Sequence, residues 1–77
     1  MQNKRIKSIL DNYNCEVAFI EYNRIAFRYK GKRYYIFYDN KRYCLGDYNS
    51  RYEERKYISE FKQFKKFKLD LIKFLSY

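Results

Sequence analysis

Apolar residues recur along this chain with two different periods, and the switches between them organise the reading. Ile6, Ile9, Leu10 and Tyr13 fall on one face of a helix, with Lys4, Lys7 and Asp11 elsewhere. The pattern predicts a first helix over 4–13, with Asn3 as its cap and Asn12–Asn14 as its end. From Cys15 onward β-branched and aromatic residues dominate, and residues 15–22 predict a strand. A turn at Asn23-Arg24 leads to a second strand, Ile25–Tyr29. Lys30-Gly31 is a two-residue hairpin turn, because glycine takes positive φ without steric cost. A third strand follows over Arg33–Tyr38, then a tight turn at Asp39-Asn40, a short fourth strand over Arg42–Leu45, and an exit loop over Gly46–Asn49.

The helical period then returns. Ser50 and Glu53 match a capping box, in which each side chain satisfies a backbone N–H of the other. The spacing predicts a helix from about 51 to 75, with Tyr57, Phe61, Phe64, Leu71 and Leu75 on one face. Phe67, Ile72 and Phe74 flank that stripe, and Lys62, Lys66 and Lys73 lie opposite. Such a helix would be about 38 Å long, so it must bend or protrude. The predicted fold class is α+β: an N-terminal helix, an antiparallel meander sheet of three to four strands, and a long C-terminal helix. Nothing marks a linker, and residues 1–77 form a single domain.

Turn positions set register, and register sets faces. A turn at Lys30-Gly31 pairs Arg28 with Arg33, Phe27 with Tyr34 and Ile25 with Ile36. A turn at Asp39-Asn40 pairs Phe37 with Arg42, Ile36 with Tyr43 and Tyr35 with Cys44. Side chains alternate along a strand, so one face collects Ala18, Ile20, Tyr22, Ile25, Phe27, Tyr29, Tyr34, Ile36, Tyr38, Tyr43 and Leu45. This is the expected core face. The other collects Val17, Phe19, Glu21, Arg24, Arg28, Arg33, Tyr35, Phe37 and Arg42.

Charge gives that second face its interest. Eighteen Lys and Arg against nine Asp and Glu leave a net charge of +9. Residues 24–42 hold seven basic side chains and one acid, Asp39. A field of this sign attracts polyanions. Guanidinium groups suit phosphates, and aromatic rings suit exposed bases. The expected partner is therefore nucleic acid, or an acidic or nucleic-acid-binding protein complex. Arg24, Arg28, Arg33, Tyr35, Phe37 and Arg42 are the expected contacts, with Lys62 and Lys66 as auxiliary phosphate ligands. A solvated face with cation–π contacts is the plain alternative. A Phe stripe at helical spacing reads first as core, and a homodimer through the long helix is a further expectation.

Enzyme readings find little support. The chain has no histidine, no paired cysteines at zinc spacing and no glycine-rich phosphate loop, with glycine only at 31 and 46. Asp47, Glu54 and Lys56 come nearest to a Mg²⁺-type cluster, but Glu53 and Glu54 read as first-turn carboxylates of a helix. The expectation is a binding protein with no catalytic residue, metal, cofactor or small-molecule substrate. No apolar run reaches the length of a membrane span, and the polar N-terminus lacks the apolar centre of a signal peptide. A cytoplasmic protein of the host cell is expected. Lys, Asn, Tyr, Phe and Ile make up 42 of the 77 residues, a bias of AT-rich coding that points to a phage or mobile element.

The order α-β-β-β-α at this length resembles the double-stranded RNA-binding domain in outline. Where that family opens its last helix with a basic, Ala-rich run, this chain reads Ser50-Arg51-Tyr52-Glu53-Glu54-Arg55-Lys56, so no function is carried over. Small phage inhibitors of CRISPR nucleases also use compact α/β folds of this size. They frame the alternative expectation, a protein-targeting inhibitor or anti-defence regulator that occupies a nucleic-acid groove of its target.

Overall fold

A computed structural model of the chain describes residues 2–48, 54–61 and 63–76. The elements run α1 (Asn3–Asn12), β1 (Glu16–Ile20), β2 (Arg24–Tyr29), β3 (Lys32–Asp39), β4 (Arg42–Tyr48), β5 (Glu54–Phe61) and α2 (Phe64–Leu75). The α+β class holds, with an antiparallel meander between two helices. The sheet order is β1-β2-β3-β4-β5, so every strand pairs with its sequence neighbour. Short connections leave an antiparallel chain few other choices.

Two expectations need correction at the C-terminal side. The long helix over 51–75 does not form, and Gly46–Tyr48 are strand rather than the start of an exit loop. Instead β4 continues through Tyr48, and residues 54–61 add a fifth strand to it, with Leu45 opposite Ile58, Gly46 opposite Lys56 and Asp47 opposite Arg55. The helix that remains has 12 residues, about 18 Å, and is not the long helix through which a homodimer was expected. Residues 54–61 contain good helix formers, but propensity is a weak prior that pairing with an existing strand overrides. The capping box at Ser50 and Glu53 and the position Asn49 lie outside the described residues.

α1 ends in a hydrogen-bonded cap whose key residue is Asn14. It takes the left-handed conformation at φ 59°. Its N–H donates to the Asp11 carbonyl at 3.3 Å, and that of Cys15 to the Leu10 carbonyl at 3.0 Å. This double bond pattern satisfies carbonyls that the helix end would otherwise strand. The start differs from expectation. Gln2, not Asn3, is the first flanking residue, and its side chain makes no capping bond. Asn3 instead donates through Nδ2 to the Glu21 carbonyl at 3.3 Å, tying the helix to the β1–β2 loop.

Both helices pack on one face of the sheet. Ile6, Ile9 and Leu10 from α1 and Phe67, Leu71 and Leu75 from α2 close over Ile25, Phe27, Ile36, Tyr43 and Leu45. A row of that face runs Ile20, Ile25, Ile36 and Leu45 across β1 to β4, with Ile20 exposed at its edge. At the sheet end Tyr29 donates its hydroxyl to the Leu75 carbonyl at 2.7 Å, fixing the last turn of α2. Phe74 sits edge-on to Tyr34 with centroids 5.1 Å apart. Beside them Lys32 meets Asp47 at 3.1 Å; that carboxylate is almost wholly buried.

Candidate functional site

The first hairpin turn stands as expected. Lys30 and Gly31 both take positive φ, at 52° and 79°, the backbone of a type I′ turn. Arg28 accordingly stands opposite Arg33, Phe27 opposite Tyr34 and Ile25 opposite Ile36. The second turn lies one residue later than expected, at Asn40-Lys41, again with both φ positive. Phe37 therefore opposes Cys44, and Asp39 opposes Arg42. The partner shifts by two, and an even shift leaves every side chain on its expected face.

β1 departs from its expected pattern. A bulge between Val17 and Phe19 puts Val17 opposite Phe27, on the core side, and Phe19 opposite Ala26, on the open side. One extra residue reverses the alternation at that point, which strict period two cannot foresee. Ala18 at the bulge is exposed and Tyr22 is 88% exposed, so neither belongs to the core.

Three rows make up the middle of the open face, with Arg42 beyond them. The middle one crosses β1 to β4 as Phe19, Ala26, Tyr35 and Gly46, alternating large and small residues. Tyr35 thus rises between two positions that have little or no side chain. Below it runs Arg24, Phe37 and Cys44; above it runs Glu16, Arg28 and Arg33. Ala26, Cys44 and Gly46 are buried and form the floor, while Phe19, Tyr35 and Phe37 are half-buried ridges. The rings of Tyr35 and Phe37 are nearly parallel, 26° apart, with centroids at 5.8 Å. Among the described residues both helices lie on the other side.

The arginines divide into two kinds. Arg24 is clasped: its guanidinium carbon lies 5.3 Å from the Phe19 ring centroid and 5.8 Å from that of Tyr35. Its Nη2 donates to both carboxylate oxygens of Glu21 at 3.2 Å. Here the plain alternative, a cation–π contact that braces the sheet, describes the geometry. Arg28, Arg33 and Arg42 are exposed on the same face, and they flank the aromatic ridge at opposite ends of the sheet.

Lys66 does not join them. It is exposed on α2, in the layer on the far side of the sheet, and Lys62 lies outside the described residues. Sequence reasoning placed Phe19 on this face but did not pair it with Arg24. Among the described residues no three acidic, cysteine or histidine side chains gather as metal ligands. Among the described residues no helix is long and apolar enough to cross a membrane. Cys15 belongs to the core, where burial and the nearby Asp11 carboxylate push its thiol up to about 11. It takes no part in this face. No protein-family model, curated protein or solved structure matches the chain.

Proposed function

We propose that this domain is a non-enzymatic binding protein whose open sheet face takes single-stranded or unpaired nucleic acid. The observation that carries the reading is the ridge of Tyr35 and Phe37, two near-parallel rings on the central strand. Residues two apart on a strand are about 7 Å apart, a spacing that suits successive splayed bases of an extended strand. Aromatic faces accept any base, and stacking contributes about 1–3 kcal/mol per base. Arg28, Arg33 and Arg42 supply the charge that a phosphate backbone needs, on the same face as the rings. Arg24 is assigned to holding Phe19 and Tyr35 in place rather than to phosphate.

A second reading, an inhibitor or regulator that docks this face into another protein's nucleic-acid groove, draws support from the same composition. Tyr and Arg are enriched at protein interface hot spots. Fluorescence anisotropy with labelled oligonucleotides separates the two. Three phosphate contacts predict a slope near −2 in log affinity against log salt, or roughly a 20-fold loss between about 50 and 200 mM. Absence of binding to bare DNA and RNA at the lower salt would remove the first reading and leave the second.

A further inference from the structure

The helix layer carries a basic surface of its own, on the opposite side of the domain from the arginines. Between α1 and α2 runs an open groove of about 410 Å³. From α1 it is lined by Arg5, Ser8 and Asn12, positions three to four apart that fall on one helical stripe, and Tyr13, just past the helix end, joins them. From α2 it receives Lys68. Ile9 and Ile72 also line it and belong to the core packing, so the groove is seated on rigid structure.

Every polar side chain lining this groove can donate a hydrogen bond, and none is a carboxylate. Of the two acids on the helices, Asp11 is held by Lys7 at 2.8 Å, and Asp70 is not among the lining residues. Arg5 and Lys68 are both exposed, and neither makes an ion pair among the described residues. Two cations converging with hydroxyl and carboxamide donors match a phosphodiester. The groove's openness suits a polymer backbone better than an enclosed small molecule.

We infer that this groove is a second phosphate-binding site, which takes the backbone of a nucleic-acid segment other than the one on the sheet, so that one domain bridges two segments. The inference rests on the nucleic-acid reading of the sheet face. The shortest dimension of the domain is 23 Å, so the two segments would be held within range of energy transfer between dyes.

The test mixes two oligonucleotides, one with a donor dye and one with an acceptor, and titrates the protein. Wild type should generate intermolecular energy transfer. Arg5→Ser with Lys68→Ser should reduce that transfer at least tenfold while binding of a single oligonucleotide changes less than about twofold. Arg5→Lys with Lys68→Arg should restore it, because the charge is kept. Circular dichroism melting confirms that each variant folds, which two exposed positions permit. Bridging unaffected by the serine variant overturns the inference, as does bridging that follows protein dimerisation in sedimentation. Single-oligonucleotide binding without any bridging overturns the groove alone. Absence of all oligonucleotide binding overturns the sheet reading and the inference with it. Phosphatidylserine vesicles form a separate arm: a protein that bridges no oligonucleotides but binds vesicles through Arg5 and Lys68 assigns the groove to a membrane surface instead.

Discussion

Arg28 and Arg33 stand directly opposite each other across the β2–β3 hairpin, and on its other side Arg28 faces Glu16 of β1. The row therefore holds one favourable and one unfavourable neighbour relation, both on exposed positions. Opposed like charges on a sheet destabilise by a few tenths of a kcal/mol, up to about 1, and opposite charges stabilise by a similar amount. This asymmetry makes the two arginines distinguishable.

Arg33→Ser should leave the melting temperature equal or slightly higher, since it removes the repulsion and keeps Glu16 opposite Arg28. Arg28→Ser removes both relations and should be nearly neutral. Each should weaken oligonucleotide binding and reduce the salt slope by about 0.7. Thermal melting and anisotropy on the same samples check this. A marked loss of stability in Arg33→Ser would show that the arginine is structural.

Phe37→Leu keeps apolar volume but removes a ring. It should lower single-strand affinity by about 1–3 kcal/mol, with little change in salt slope, because stacking and phosphate contact are separate contributions. An affinity equal to wild type would exclude Phe37 from the contact surface.

The turn residues allow a test of the fold independent of function. Lys41 sits at φ 60°, where a side chain costs about 1–2 kcal/mol. Lys41→Gly creates the Asn-Gly pair that type I′ turns favour. After the entropy lost by adding glycine, a net gain of up to about 1 kcal/mol is expected, or about 4–8 °C. Gly31→Ala should do the reverse: a Cβ there meets nothing within 4 Å, so the cost is backbone strain at φ +79° alone. Melting curves of both variants decide the matter.

The cysteines should be two free thiols by mass spectrometry of the non-reduced protein. β1 and β4 are three strand steps apart, about 14 Å, whereas a disulfide needs Cα atoms within about 7 Å. Cys15 binds its proton more tightly when folded, its pKa raised from 9.0 to about 11. Its contribution to stability is thus complete below pH 9 and lost as the pH climbs toward 11. Burial raises Tyr43 as well, with the same sign. Denaturant midpoints should fall over that range, and less so in Cys15→Ala.

The sequence by itself determined what depends on neighbours along the chain. Apolar spacing marked α1, and Lys30-Gly31 marked the hairpin that sets Arg28 against Arg33. Period-two alternation gathered Tyr35, Phe37, Arg28, Arg33 and Arg42 on one face, and the one-residue error in the second turn was harmless because it moved partners by an even number. Tertiary structure decided the rest. Residues 54–61 suit a helix or a strand, and the open edge of β4 selects the strand. The bulge at Ala18 arises in the pairing of β1 with β2, and it turns Val17 to the core side. Lys66 is basic in any reading, but only the packing of Phe67, Leu71 and Leu75 on the sheet turns it away from the arginines. Local periodicity encodes which face a residue occupies within its element; which elements share a face is settled by long-range burial.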